Sequence, residues 1–259
     1  MLLLEQAGFA TGGATLLAPL TVGFAPGRVT AVLGPNGAGK STLLSLLSGQ
    51  RRPSQGRLFL NGGLLAEQGL DALARYRAVM PQDTTVSFDY TVREVVALGR
   101  YPHRRQPARD EDGLVEAAMA ATDVAAFADR IYNTLSGGEK ARCQLARALA
   151  QVWEAPPGLP TRWLLLDEPT AALDLSHQHQ VLRCAQAWAH GQGVGVVAVL
   201  HDLNLALRYA DDVLVLARGR CEGFGPVREV LAPALVARVW GVPCEPVQGA
   251  GGAVQYLFA

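Results

Sequence analysis

No apolar run in the 259-residue chain approaches the ~20 residues that a membrane-spanning helix requires. The longest such stretches, Val194 to Leu200 among them, have the length of buried strands. The N-terminus lacks a basic segment leading into a long apolar one, so no signal peptide is expected. The four cysteines, Cys143, Cys184, Cys221 and Cys244, are scattered and form no C-x-x-C pair. That spacing points away from a zinc site or a disulfide framework and predicts reduced, buried thiols. Neither sign of charge is in excess: 23 Lys and Arg face 23 Asp and Glu. The balance argues against nucleic acid as the main partner. His177 and His179 stand two apart on an expected helix and do not share a face, and His190 lies near that helix's end, so none is assigned to a metal. There is no internal repeat.

Apolar residues make up 49% of the chain, enough for a sizeable core. Short strands with Gly turns are expected at Leu2 to Ala7 and Leu16 to Phe24, then at Arg57 to Leu60 and Ala78 to Met80. From about Thr91 to Val152 the pattern turns helical. Val92, Val95 and Val96 repeat at helical spacing with Gly99 as a stop, and Leu145, Leu149 and Val152 line a later helix. Glu154 to Arg162 is Pro-rich and reads as a loop. Strand and helix then alternate: Trp163 to Leu166, Leu175 to His190, Val194 to Leu200, Leu203 to Tyr209, Val213 to Ala217. The alternation predicts an α/β core with a largely parallel sheet covered on both faces, interrupted by a helical insertion.

The strongest chemical signal is Gly34-Pro35-Asn36-Gly37-Ala38-Gly39-Lys40-Ser41-Thr42, set between an apolar strand and an apolar-periodic helix. This is the spacing of a phosphate-binding P-loop. Glycines let backbone N–H groups close around phosphate oxygens, and the helix N-terminus adds positive potential. Lys40 is placed for the β- and γ-phosphates and the Ser41 hydroxyl for Mg²⁺.

A second strand, Trp163 to Leu166, runs into Asp167 and Glu168. Asp167 is placed to orient Mg²⁺ and Glu168 to polarise a water. Leu135-Ser136-Gly137-Gly138-Glu139 opens another helix whose N-terminus suits an anion. Alone, that turn reads as a helix cap. Beside a P-loop it implies two phosphate-gripping elements, hence two nucleotides or two chains sharing sites.

In this order the motifs resemble those of ATP-binding cassette (ABC) ATPases over essentially the whole chain. They are the P-loop, Gln82, the signature Leu135 to Glu139, the strand ending in Asp167 and Glu168, the loop Ala172-Leu173-Asp174, and His201 after the next strand. The resemblance implies an α/β P-loop NTPase core with an N-terminal antiparallel β subdomain and an inserted helical subdomain. Residues 1–85 and 160–259 would form the core, and about 86–159 the helical signature subdomain. It also implies a head-to-tail homodimer with ATP sandwiched between copies. Gly34 to Thr42 hold the phosphates of one copy, while Ser136, Gly137 and Gly138 of the other close over the γ-phosphate. Ser41 and Asp167 serve Mg²⁺, Gln82 serves Mg²⁺ or the attacking water and senses the partner copy, Glu168 is the general base, His201 holds the γ-phosphate and water in line, and Asp174 lies at the dimer interface. Where many members place an adenine-stacking aromatic, this chain has Thr11, with Phe9 two residues earlier.

Without a membrane span, such a subunit requires separate permease chains and, in an importer, a periplasmic binding protein. It would sit peripherally on the cytoplasmic face of the inner membrane. The segment Val86 to His103 looks like that of bacterial type II importers for iron-siderophore, vitamin B12 and haem. The Pro-rich insertion, His201 to Ala206 and Ala237 to Pro243 look most similar to the haemin-import subgroup. Arg100 to Arg105 reads either as a solvated basic loop or as a permease or headgroup contact. A soluble, non-transport ABC ATPase is the alternative class, and it predicts a long coiled-coil insertion or a second cassette, neither of which is present.

Overall fold

The computed structural model describes residues 1–82, 86–154, 161–171, 173–249, 252 and 254–258. The chain opens with a hairpin, β1 (Leu2–Thr11) and β2 (Ala14–Phe24), turning at Gly12-Gly13. Next come β3 (Val29–Leu33), α1 (Lys40–Leu47), β4 (Gln55–Leu60), β5 (Gly63–Leu64), α2 (Leu70–Tyr76) and β6 (Arg77–Met80). Three helices follow: α3 (Val92–Ala97), α4 (Glu111–Ala121) and α5 (Gly137–Gln151). The alternating part holds β7 (Trp163–Asp167), α6 (Leu175–Gln192), β8 (Gly195–Val199), α7 (Leu203–Tyr209), β9 (Asp212–Ala217) and β10 (Arg220–Pro226). The chain closes with α8 (Val227–Val230), α9 (Pro233–Trp240) and the hairpin β11 (Cys244–Gln248) and β12 (Val254–Phe258). Most of the Pro-rich loop, 155–160, lies outside the described residues.

The main sheet runs β10-β9-β3-β8-β7-β6, parallel from β9 to β6, with β10 antiparallel at the edge. A smaller antiparallel sheet runs β2-β1-β4-β5. Alternation along the central strands feeds two cores. Leu164 and Leu166 of β7, and Val196 and Ala198 of β8, join the core under α5, α6 and α7. Trp163 and Leu165, with Val197 and Val199, join the core shared with α1 and the small sheet. Burial on both faces is what a continuous apolar strand requires.

A third apolar cluster gathers Val92, Val95, Leu114, Met119 and Cys143 from α3, α4 and α5. α5 belongs to two cores at once: Leu145 and Leu149 face the sheet, and Ala146 and Ala150 face the helical cluster. The N-terminus of α5, carrying Ser136, is therefore held by both bodies.

Three expectations change. Gly99 does not stop the chain's helical path, because a 3₁₀ segment, Leu98–His103, follows α3 directly. Glycine is needed there for closeness, since a Cβ would overlap the carbonyl oxygen of Arg147 on α5. Arg100 is not part of an exposed basic stretch: it is 7% exposed and bonds Glu111 at 2.7 and 3.0 Å and the Ala150 carbonyl. Only Cys143 and Cys244 are buried thiols, while Cys184 is half-buried and Cys221 exposed. Burial pushes the Cys143 thiol up to about 12, so the thiolate form needed for reactivity is suppressed.

Candidate nucleotide site

The parallel strands deliver the site at their C-terminal ends, where open α/β sheets form clefts. β3 leads into the P-loop, β6 into Gln82, β7 into Asp167 and Glu168, β8 into His201, and β9 into Arg218.

The P-loop's shape depends on glycine at two points. Gly34 has φ +152°, and a Cβ there would overlap the Leu216 carbonyl oxygen of β9. Gly39, at φ +101°, caps α1 and lies so close to β2 that a Cβ would come 2.8 Å from the Leu16 oxygen. α1 begins at Lys40 with no acidic residue in its first turn, leaving its positive end uncompensated. Lys40 is 6% exposed, and its Nζ donates to the carbonyls of Gly34 at 2.7 Å and Pro35 at 3.0 Å. Burial lowers its pKa, and the charges of Glu168 and Asp167 act against that shift. The lysine is thus a desolvated cation arched across the loop.

Glu168 sits just past β7 with φ +50°, left-handed backbone that a non-glycine residue adopts at a cost of order 1 kcal/mol. The corner turns its carboxylate toward two neighbours. Gln82 Nε2 donates to Oε2 at 2.9 Å, and His201 Nε2 stands 2.6 Å from Oε1. Asp167 Oδ1 is buried and has no hydrogen-bond partner. Burial, then the charge of Glu168, raises its pKa. An orphaned, desolvated carboxylate oxygen is a poor structural feature and a good cation ligand, so the donor set of Ser41, Gln82 and Asp167 fits a magnesium ion with retained water.

A cavity of about 470 Å³ is lined by Asn36 to Thr42 of the P-loop together with Thr15, Leu16, Glu168, Arg218 and Gly219. Ser136, Gly137, Gly138 and Asp174 do not line it. Ser136 caps α5 in a reciprocal box: its Oγ accepts from Glu139 N at 3.3 Å, and Glu139 Oε2 accepts from Ser136 N at 2.7 Å. Gly138 abuts Leu173, where a Cβ would lie 3.2 Å from the leucine Cδ2, so the signature turn and the Asp174 turn are neighbours. Asp174 caps α6, accepting from His177 N at 3.0 Å and from the Ser176 hydroxyl at 2.9 Å. The His177 backbone N–H first, then the Ser176 and His177 side chains, bring its pKa down to about 2. Ala172, expected in that turn, lies outside the described residues.

The other histidines have ordinary partners: His103 with the Gln151 carbonyl, His177 with Asp174, His179 with the Tyr209 hydroxyl, and His190 with Asp211. Neither Phe9 nor Thr11 lines the cavity. Phe9 packs on the small-sheet core beneath the Arg51 guanidinium, 5.2 Å from its ring centroid. Sequence reasoning missed Thr15, Leu16 and Arg218. The one local signal was the Arg218-Gly219 pair, both at positive φ in the tight β9–β10 turn.

The family model described as ABC transporter matches residues 17–171. The chain is 46% identical over 260 residues to the hemin import ATP-binding protein HmuV of Methylobacillus flagellatus, covering 100% of this chain and 96% of that protein. It is 49% identical over 236 residues to the HmuV of Gloeobacter violaceus, covering 91% and 85%. Among solved structures, it superposes with a TM-score of 0.82 and 29% identity on an inward-facing ABC transporter assigned to the metal-chelate type, covering 100% and 96% of the two chains. A dimeric bacterial ABC transporter cassette matches with a TM-score of 0.76 and 25% identity, covering 88% and 99%.

Proposed function

The chain belongs to the ABC transporter family, and on that premise we propose that it is the ATP-hydrolysing subunit of a bacterial type II importer that carries haem. The observation that supports this most is the convergence of Gln82 and His201 on the two oxygens of Glu168 beside the P-loop. Three strand ends meet there on one carboxylate, which is the arrangement a general base needs when a water must be held in line with a phosphoryl group.

Lys40 leaves the carbonyls of Gly34 and Pro35 for the β- and γ-phosphates of ATP, and the N–H groups of Gly37 to Lys40 close around the remaining oxygens. Glu168 takes the proton of the attacking water. His201 donates to the γ-phosphate and restrains that water. Ser41, Gln82 and Asp167 would hold Mg²⁺, which would supply charge neutralisation for the phosphates. Ser136, Gly137 and Gly138 do not line the P-loop cavity of their own copy. Those of a second copy close over the γ-phosphate, with Asp174 nearby, so the active form is a head-to-tail homodimer.

The nucleoside end follows from strand order. β7, carrying Glu168, and β9, carrying Arg218, flank β3 on opposite sides and lie three strand spacings apart, about 14 Å. With the γ-phosphate at Glu168, the adenosine leaves toward Leu16, Thr15 and the Arg218 guanidinium. Apolar contact and a stacked guanidinium take the place of an aromatic platform.

Transport requires membrane partners, since no helix among the described residues is long and apolar enough to cross a bilayer. Phe88, Leu98 and Tyr101 are large apolar side chains left exposed in the segment 86–103, which suits a permease helix. The subunit would work peripherally at the cytoplasmic face of the inner membrane with a permease dimer and a periplasmic binding protein. It divides into a core, 1–85 and 160–259, and a helical signature subdomain, about 86–159. Haem as cargo rests on likeness to HmuV proteins, and a wider metal-chelate cargo on likeness to the metal-chelate transporter. Proteoliposomes holding this subunit with its co-purified permease separate these readings. ATP-dependent uptake of haem, but not of ferric siderophore or vitamin B12, is the expected result.

A further inference from the structure

Given that His201 serves ATP hydrolysis as read above, we propose that Asn204 and Tyr256 are positioning residues for it. The C-terminal hairpin β11–β12, through a reciprocal pair of hydrogen bonds from Asn204, sets where the imidazole stands against Glu168.

His201 cannot hold its own position. Its side chain is 47% exposed, so packing does not confine it. What confines it is its place in the chain, between Leu200, whose N–H is bonded to Val32 O of β3 at 3.1 Å, and Asp202, the cap of α7. Asp202 Oδ1 accepts from Asn204 N at 2.7 Å and Leu205 N at 3.0 Å, joining the histidine's neighbour rigidly to the first turn of α7. α7 has only seven residues. A helix that short has no stability of its own and sits where tertiary contacts put it.

Leu203, Leu205, Ala206, Leu207 and Tyr209 pack in the main core, and the side-chain hydrogen bonds that tie the helix to other elements lie at its two ends. At the far end the Tyr209 carbonyl accepts from Gln186 Nε2 at 3.1 Å, and the Tyr209 hydroxyl meets His179 Nδ1 at 2.7 Å. At the near end Asn204 Nδ2 donates to Tyr256 O at 3.1 Å, and Tyr256 N donates to Asn204 Oδ1 at 2.7 Å. The amide side chain pairs with β12 as a neighbouring strand would, saturating donor and acceptor together. Tyr256 is itself anchored: its ring is buried in the main core and its hydroxyl donates to the Leu231 carbonyl. The path from β12 to the imidazole therefore runs Tyr256, Asn204, Asp202, His201, with a hydrogen bond or a peptide link at every step. A residue acting this way changes the step that His201 serves and leaves nucleotide binding by the P-loop alone.

The test is a double-mutant cycle on the full-length chain, with slow turnover followed using γ-labelled ATP. Asn204→Ala should lower kcat about tenfold while KM for ATP stays within about threefold, because the lost interaction is one made in the transition state. In a His201→Ala background the same change should cost less than about twofold, the signature of two residues acting as one unit. Asn204→Asp, which keeps the acceptor for Tyr256 N–H, should fall between. Independently, imidazole ¹⁵N resonances of His201 should shift in Asn204→Ala and stay put in the control Leu257→Ser on the exposed face of β12. Equal losses of kcat in both backgrounds, or a kcat within twofold of the parent with an unshifted imidazole, overturn the proposal. Normal hydrolysis by His201→Ala instead overturns the reading of the site. In that case the imidazole resonances alone decide whether the clamp positions it.

Discussion

The imidazole of His201 stands 2.6 Å from the carboxylate of Glu168, joining the ends of two strands, β8 and β7, that are neighbours in the main sheet. Their register brings Val199 beside Asp167, so the residues just beyond each strand are near one another before any side chain is chosen. Gln82 approaches the other oxygen from the end of β6, and the carboxylate is held on both sides.

If Glu168 is the base, Glu168→Gln removes the proton acceptor and keeps the shape. Turnover should fall at least about 100-fold. ATP affinity should change less than about threefold, since Lys40 and the P-loop are untouched. Size-exclusion chromatography with ATP should then show a dimer that the parent chain does not accumulate.

The observed cap role of Ser136 and its proposed role toward a second copy's nucleotide can be separated by a single substitution. As the cap of α5 it can be replaced by Asp, which caps equally well, so the fold should lose less than about 0.5 kcal/mol. A carboxylate facing the partner copy's γ-phosphate should nevertheless abolish ATP-dependent dimers and hydrolysis. Thermal melts and chromatography of Ser136→Asp check the two halves. A variant that folds and still hydrolyses ATP at the parent rate would show that the signature turn does not meet the nucleotide.

Asp167 is raised in pKa by burial first and by Glu168 second. Because its folded pKa lies above the unfolded one, protonation favours the fold, and the contribution is lost as pH rises through the folded value. At neutral pH the ionised, unpartnered oxygen therefore costs stability. Asp167→Asn should raise stability at pH 7 by about 1 kcal/mol and lose Mg²⁺-dependent hydrolysis. The gain should shrink as pH falls through the carboxylate range. Melting curves across pH, with and without Mg²⁺, give both numbers.

Gly99→Ala tests the seam between the 3₁₀ segment after α3 and α5. The added methyl collides with the Arg147 carbonyl, and relief requires moving one backbone. Overpacking of this kind costs about 1–3 kcal/mol. For a chain of this size that is roughly a 2–12 °C fall in melting temperature. Nucleotide affinity of the folded fraction should be unchanged, as the P-loop lies on another core.

Much of this was legible in the linear sequence. The P-loop, the two acids after β7 and the Ser-Gly-Gly turn each depend on residues close in sequence. Local turn chemistry and strand or helix periodicity are enough to place them. Other features depended on partners far along the chain. Gly99 reads as a helix stop because glycine usually is one, and only the Arg147 carbonyl reveals its steric role. Arg100 reads as surface charge until Glu111 and Ala150 bury it. Arg218 carries no motif and lines the cavity only because the β9–β10 turn lies beside the P-loop, with Gly219 N donating to the Ala38 carbonyl at 3.1 Å.

Sequence by itself determined which groups this protein has for gripping phosphate, because a P-loop is a local object whose glycines, lysine and helix start follow one another along the backbone. Tertiary structure alone decided which groups meet. Strand order sets Gln82, Glu168 and His201 around one point, and it sends Arg218 to the far side of the P-loop. The pairing of Asn204 with Tyr256, 52 residues apart, belongs to the same kind of information. Contacts across such separations depend on how the sheets and helices stack, and no local pattern of residues encodes that.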